Sequence, residues 1–311
     1  MLRRDLLVWA IASSATPFHV HAQQTEKAAV QFFNNRSISL AAQSFGSSTD
    51  PALGLLMGAT ASMLGWPDEL CDALAGHGLF VIRFDHRDTG QSTTVPLGEA
   101  SYAVEDMAED VLAVMDGHGL RNAHLMGMSL GGYIAQMLAV TQPERVPSLT
   151  LIGSEPLGWD GEPLPHISGA FLDHFATFGD LDWSDQDAVM DFLLEIERLC
   201  AGSGQPFDEK RAAARIREIL ERTDNVASMF NHSSRTTRSD WTGRFREISC
   251  PTLVLHGAED PILPVENGRA IAEGIAGAEL VIMDGVGHEL PMSHVTLIAD
   301  RVARHVFATM T

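Results

Sequence analysis

Apolar positions along this chain fall into short continuous runs separated by longer stretches of helical spacing. The runs are ALGLLMG (52–58), LFVIRFDHR (79–87), NAHLMGM (122–128), SLTLIGS (148–154), PTLVLHG (251–257) and AELVIMDG (278–285). Between them, WPDELCDALAGHG (66–78), YAVEDMAEDVLAVMDGHG (102–119), SLGGYIAQMLAVTQP (129–143), a stretch over 265–276 and a last one from about 293 repeat apolar residues at helical intervals. Continuous apolar strands alternate with helices where a parallel sheet is covered on both faces. The pattern therefore predicts an α/β fold with a mostly parallel sheet flanked by helices. Ahead of it, AVQFFNNRSISLAAQSF carries two apolar stretches around Asn34-Asn35, which predicts an antiparallel hairpin at a sheet edge.

Residues 155–247 break the rhythm. FLDHFATF, DQDAVMDFLLEIERLC and FDEKRAAARIREILERT keep helical periodicity with no apolar strand between them. The predicted organisation is a core from 23–154 and 248–311 with a helical cap, or lid, at 155–247. Trp159, Phe171, Phe175, Phe178, Trp183, Met229 and Phe230 offer this cap large apolar contacts and His232 a polar one; the same side chains equally suit the cap's own core.

Composition narrows the function classes. The chain has 311 residues, 21 Lys and Arg against 41 Asp and Glu, and a formal charge of −20. Such a field disfavours nucleic acid and anionic lipid as partners; solubility explains it, with a field that favours cationic substrates as the alternative. No apolar run is long enough to span a membrane in the mature chain. The N-terminus reads as a leader: MLRRD is basic, LLVWAIASSA is apolar, and a cleavage site follows Ala22. That predicts a signal peptide over 1–22 and an exported, periplasmic protein, with a cytoplasmic protein as the alternative. Cys71, Cys200 and Cys250 are odd in number and widely spaced, which predicts three buried thiols, with one disulfide as the alternative in an oxidising compartment, rather than a metal site.

Gly127-Met-Ser129-Leu-Gly131 lies where an apolar strand gives way to a helix. In a turn that sharp, the residues two before and two after the serine must lack bulk, and the hydroxyl is exposed beside a helix N-terminus. A serine attacks only once a base takes its proton, and the base needs a carboxylate to orient it. Such groups sit on loops at the carboxyl ends of strands. Asp260 follows one late strand and His288 the next. The order Ser129, Asp260, His288 makes these the predicted catalytic residues. Glu259 is the alternative orienting acid. Asp284 reads as a turn former, His294 as part of the final helix, and His86 in FDHRDTGQS as structural. The oxyanion of an ester intermediate needs two N–H donors. The predicted pair is the amides of Leu130 and Ala59, Gly58 supplying the turn that presents Ala59.

LLMGATASMLGWPDEL, GLFVIRFDHRDTGQST, GMSLGG, REISCPTLVLHGAEDPILP and GVGHELP together resemble serine α/β-hydrolases of the aclacinomycin (anthracycline) methylesterase kind. They also resemble the EstT and EstX resistance esterases, of which EstT-type enzymes open macrolide lactones. The resemblance covers nearly all of the chain after residue 50. It implies the α/β-hydrolase fold, a triad on Ser129, Asp260 and His288, oxyanion donors on Leu130 and Ala59, and no cofactor or metal. One departure is Met57-Gly58-Ala59, where the methylesterase has MGG.

These features predict a serine carboxylic ester hydrolase acting on a large hydrophobic, cationic ester or lactone, with macrolide ring opening first. Alternatives are an anthracycline-type methylesterase or general carboxylesterase, a cofactor-free perhydrolase or haloperoxidase on the same triad, and a hydrolase-like small-molecule receptor.

Overall fold

The structure, a computed structural model, describes residues 28–310; the leader expected over 1–22 lies outside them. One sheet of eight strands organises the molecule in the order β1-β2-β4-β3-β5-β6-β7-β8. Its strands are β1 (Gln31–Asn35), β2 (Ile38–Phe45), β3 (Ala52–Leu56), β4 (Phe80–Phe84), β5 (His124–Met128), β6 (Leu149–Ile152), β7 (Thr252–Gly257) and β8 (Glu279–Met283). β1, β2 and β4 pair antiparallel, and every pairing from β4 across to β8 is parallel. The hairpin of β1 and β2 sits at the edge, as its pattern predicts. Its turn falls on Arg36-Ser37 rather than Asn34-Asn35, with Arg36 at φ 54°.

Both faces of the sheet are covered, which is why its strands read as unbroken apolar runs. On one face Leu56, Leu125, Leu151 and Val254 pack with α2 (Val104–Gly117), α3 (Leu130–Thr141) and α7 (Glu266–Gly274). On the other, Leu53, Leu55, Met126, Leu253 and Leu255 pack with α1 (Asp68–Gly76) and α8 (Val295–Ala308). Alternate residues of one strand thus enter two different cores.

Several elements stop short of their apolar runs. β4 ends at Phe84, although the run continues to Arg87, because Asp85 starts a turn with its own hydrogen bonds. The Asp85 carboxylate accepts from the amides of Met63 at 2.8 Å and Gln91 at 3.0 Å, and Ser92 Oγ donates to the Asp85 carbonyl at 2.6 Å. α1 begins only after Pro67, whose ring keeps the preceding Trp66 out of helical backbone. His294 belongs to a short 3-10 turn, Met292–His294, ahead of α8 and not to that helix.

Residues 155–247 hold α4 (Gly169–Phe175), α5 (Gln186–Cys200), α6 (Glu209–Arg222) and a 3-10 segment at Val226–Ser234, with no strand among them. Side-chain caps from Ser168, Asp185 and Asp208 start the three helices. Val189, Phe192, Leu193, Ile216, Met229 and Phe230 form a separate apolar core, with Phe175, Phe178 and Trp183 packed on it. Leu157, Trp159, Trp241 and Phe245 instead join the core beneath the sheet, so both ends of the segment pack with the sheet domain. Arg222, at the end of α6, closes the other side: its guanidinium meets the fully buried Asp85 carboxylate at 2.8 and 3.0 Å.

Candidate active site

Ser129 joins the last residue of β5 to the first of α3 with φ 51° and ψ −121°. A non-glycine residue at positive φ is strained, and it persists only where its surroundings fix it. Here they do. A Cβ at Gly127 would stand 2.3 Å from the Gly131 carbonyl oxygen, and one at Gly131 would stand 2.1 Å from the Leu56 carbonyl oxygen. The Ser129 amide donates to the Ile152 carbonyl at 2.9 Å, and Ser154 Oγ donates to the Ser129 carbonyl at 3.0 Å. Ser129 and Leu130 remain partly exposed while β5 behind them is buried. The hydroxyl therefore sits at a solvent-reachable helix N-terminus.

His288 and Asp260 come together in the structure. His288 Nδ1 and Asp260 Oδ2 are 2.7 Å apart, and the Asp260 side chain is fully buried. The other carboxylate oxygen, Oδ1, accepts from the amides of Ile262 at 2.9 Å and Leu263 at 2.8 Å. A carboxylate fixed at both oxygens orients an imidazole, so Nδ1 carries the proton and Nε2 is left as the basic lone pair. Gly153, just past β6, leaves room for the pair: a Cβ there would lie 3.1 Å from Asp260 Oδ2 and 3.3 Å from His288 Nδ1. Glu259, the alternative acid, is turned to the cap. It accepts from the Ser203 amide and hydroxyl, both at 2.7 Å, and those bonds hold its carboxyl below the usual range.

The oxyanion loop after β3 passes beside Ser129; a Cβ at Gly58 would stand 3.3 Å from Ser129 Cβ. The Thr60 amide is already committed, donating to His232 Nδ1 at 3.3 Å. The Ala59 amide makes no hydrogen bond within the described chain. Leu130, as the first residue of α3, has an amide with no intrahelical acceptor. Both N–H groups thus lack a partner among the described residues, one following Ser129 and the other following Gly58. His86 is not among the reacting groups: its Nε2 donates to the Met57 carbonyl at 3.1 Å, and burial holds its pKa down at about 3. It supports the oxyanion loop from below as a neutral ring.

The pattern of residues does not reveal three supports. His256 on β7 is fully buried, donates from Nε2 to the Leu263 carbonyl at 2.6 Å, and stands 3.6 Å from Asp260 Oδ2. It steadies the loop that carries the acid. The loop after α5 clasps the neighbouring loops: the His288 amide donates to the Cys200 carbonyl at 2.8 Å, Gly202 to Glu289 at 2.7 Å, and Gly204 to the Gly285 carbonyl at 2.8 Å. His232, read from sequence only as a polar contact of the cap, holds the oxyanion loop. The rows of helical spacing carry no mark of such long-range bonds.

Of the apolar residues assigned to the cap, Met229 and Phe230 are buried in its own core. Phe171 stacks on Phe175, and Phe175 on Phe178. Among the described residues no cluster of three or more His, Cys, Asp or Glu side chains is arranged to hold a metal, and no helix is long and apolar enough to cross a membrane.

Known proteins resemble this chain over most of its length. Residues 51–295 match the alpha/beta hydrolase fold family. Rhodomycin D methylesterase DnrP of Streptomyces peucetius is 32% identical over 297 residues, covering 89% of this chain and 98% of that protein. Rhodomycin D methylesterase DauP of Streptomyces sp. strain C5 is 33% identical, covering 87% and 96%. Among solved structures, a hydrolase from Pseudomonas aeruginosa superposes with a TM-score of 0.66 at 26% identity, over 90% of this chain and 98% of that one. The 2-hydroxy-6-oxo-6-phenylhexa-2,4-dienoate hydrolase of a Rhodococcus strain shares the fold alone, with a TM-score of 0.72 at 21% identity over 91% and 99%. With the family matched over most of its length and two methylesterases aligned across nearly all of it, the chain belongs to the α/β-hydrolase fold family.

Proposed function

We propose that this protein is a serine-dependent carboxylic ester hydrolase of large hydrophobic substrates. The observation that carries the reading is Ser129 held at positive φ at the end of β5, with an Asp260-oriented His288 on the loops beside it. His288 Nε2 takes the hydroxyl proton as Ser129 Oγ attacks the ester carbonyl. The Leu130 and Ala59 amides receive the developing oxyanion. The tetrahedral intermediate collapses to an acyl-enzyme, and His288 returns the proton to the departing alcohol. Water, deprotonated by His288, then releases the acid.

For the substrate, the first reading is opening of a macrolide lactone, in which the leaving alcohol stays tethered to the acyl group. The helices of residues 155–247 are where the body of a macrocycle would rest. Glu155, two residues beyond Gly153, adds a half-buried carboxylate that suits a basic amino sugar; it meets His166 Nε2 at 3.3 Å. Burial holds the pKa of this carboxyl above its usual range, against the opposing pull of His166. The second reading is a methyl ester on an anthracycline, favoured by the activity for which DnrP and DauP are named. Purified protein incubated with macrolides of several ring sizes, an anthracycline methyl ester and short-chain aryl esters separates these by mass spectrometry. Ring opening yields a product one water heavier. Demethylation yields one lighter by a CH2 and releases methanol. Intact macrolides beside rapid cleavage of the anthracycline ester would reject the first reading for the second.

The leader belongs to the same proposal. Expression of the full gene is expected to give a periplasmic protein beginning at Gln23, read by intact mass. A full-length active protein confined to the cytoplasm refutes export.

A further inference from the structure

Among the described residues, one cap side chain hydrogen-bonds directly to the oxyanion loop. His232, in the 3-10 segment Val226–Ser234, is buried and uses both ring nitrogens. Nε2 lies 2.7 Å from the Arg87 carbonyl oxygen, which can only accept, so this nitrogen carries the proton. Nδ1 is therefore an acceptor, and the Thr60 amide donates to it at 3.3 Å. Burial pushes the ring below its ordinary pKa; the bond to Arg87 and the nearby Asp88 oppose this, and Arg235 and Arg87 reinforce it. A neutral ring is the state this arrangement requires, because a second ring proton would face the Thr60 N–H.

What Nδ1 holds is strained backbone. Thr60 has φ 61°, one of four non-glycine residues at positive φ among the described residues, and Ser129 is another. The stretch Met57–Met63 is fastened at three points: the Met57 carbonyl by His86, the Met63 amide by Asp85, and the Thr60 amide by His232. The first two ties come from the β4 turn, within the sheet domain. Only the third comes from the cap, and it is the one next to the Ala59 amide. The segment bearing His232 is itself bonded to the sheet domain. Ser228 Oγ donates to the Asp88 carbonyl at 2.8 Å, and Asn231 Nδ2 donates to Asp88 Oδ2 at 3.1 Å.

We propose that His232 is a positioning residue through which the cap sets the oxyanion hole: by accepting the Thr60 N–H, it aims the neighbouring Ala59 amide at the carbonyl oxygen. This rests on the serine-ester reading of the site. It follows that the cap contributes to the chemical step even for an ester too small to touch it. Hydrogen-bond donors act on an oxyanion only when aimed within a fraction of an ångström, so an untethered loop lowers kcat and leaves ground-state binding alone.

Two amide substitutions separate this role from a general structural one. Asparagine places its carbonyl oxygen near the position of Nδ1, and glutamine places its amide nitrogen near that of Nε2. His232→Asn is expected to keep the Thr60 bond and most of the turnover of a short-chain aryl ester. His232→Gln keeps the Arg87 bond and is expected to lose about 10²-fold in kcat, with KM nearly unchanged. Inhibition by a transition-state-mimicking boronic acid should weaken in parallel in the glutamine variant. Equal kcat in both folded variants, or a loss confined to KM for large substrates, would overturn the proposal. The wild type gives a check independent of variant folding. In its 15N spectrum, His232 Nδ1 must show the shift of an unprotonated ring nitrogen; a protonated Nδ1 at neutral pH refutes the tie. Labelling of Ser129 by an activated phosphonate in the wild type tests the underlying site reading separately.

Discussion

Alanine in place of Ser129 is expected to abolish steady-state ester hydrolysis while leaving the fold intact. The loss should be on the order of 10⁴-fold or more, and His288→Ala should lose about as much, because nucleophile and base act as one unit. Residual rate above water would come from the two oxyanion amides and from binding. Asp260→Asn should be comparably severe. Its side chain could present an N–H to His288 Nδ1 where the carboxylate accepts one, favouring the tautomer whose proton sits on Nε2. The Asp260 Oδ1 bonds to the amides of Ile262 and Leu263 give an asparagine oxygen a reason to stay in place, which turns its N–H toward His288. The measurement is kcat/KM on a chromogenic ester with far-UV circular dichroism as the folding control. Sustained turnover by a folded Ser129→Ala protein would falsify the serine mechanism.

The reacting residues are more legible in the sequence than what holds them. Ser129 follows directly on an apolar run, Asp260 and His288 each lie just beyond one, and strand ends are local features. A sharp turn also demands small neighbours, so Gly127 and Gly131 announce it. Asp260 could be preferred over Glu259 only weakly, since both follow β7. The structure separates them through Ser203, which is distant in sequence and binds Glu259 on the cap side. His86 reads as structural and is so, but its acceptor, the Met57 carbonyl, lies 29 residues away and leaves no periodic trace. The largest difference concerns the cap. Helical spacing shows that residues 155–247 form helices and suggests that they cover the substrate. It does not show that Cys200, Gly202 and Ser203 grip the loops of His288 and Asp260, or that His232 grips that of Ala59. Such contacts pair single backbone groups across long separations, where pattern carries no information.

Gly131→Ala is expected to cost the protein about 3 kcal/mol or more in stability and most of its activity besides, although alanine is the better helix former. The reason is where the methyl would go. It would stand 2.1 Å from the Leu56 carbonyl oxygen, 2.5 Å from the Leu56 carbonyl carbon and 2.6 Å from the Met57 carbonyl oxygen. None of these atoms belongs to a side chain that could swing aside, so either β3 or the start of α3 must move. Moving β3 displaces the beginning of the oxyanion loop, and moving α3 displaces Ser129 together with the Leu130 amide. Each route separates the nucleophile from its N–H donors, so stability and kcat should fall together. Gly76→Ala, at the end of α1, is the matched control, because a Cβ there meets no atom within 4 Å. That protein should unfold within about 1 kcal/mol of the wild type and keep full turnover. Urea denaturation alongside kcat for both variants reads the difference. A Gly131→Ala protein with unchanged midpoint and turnover would mean that the β3–α3 contact is looser than these distances require.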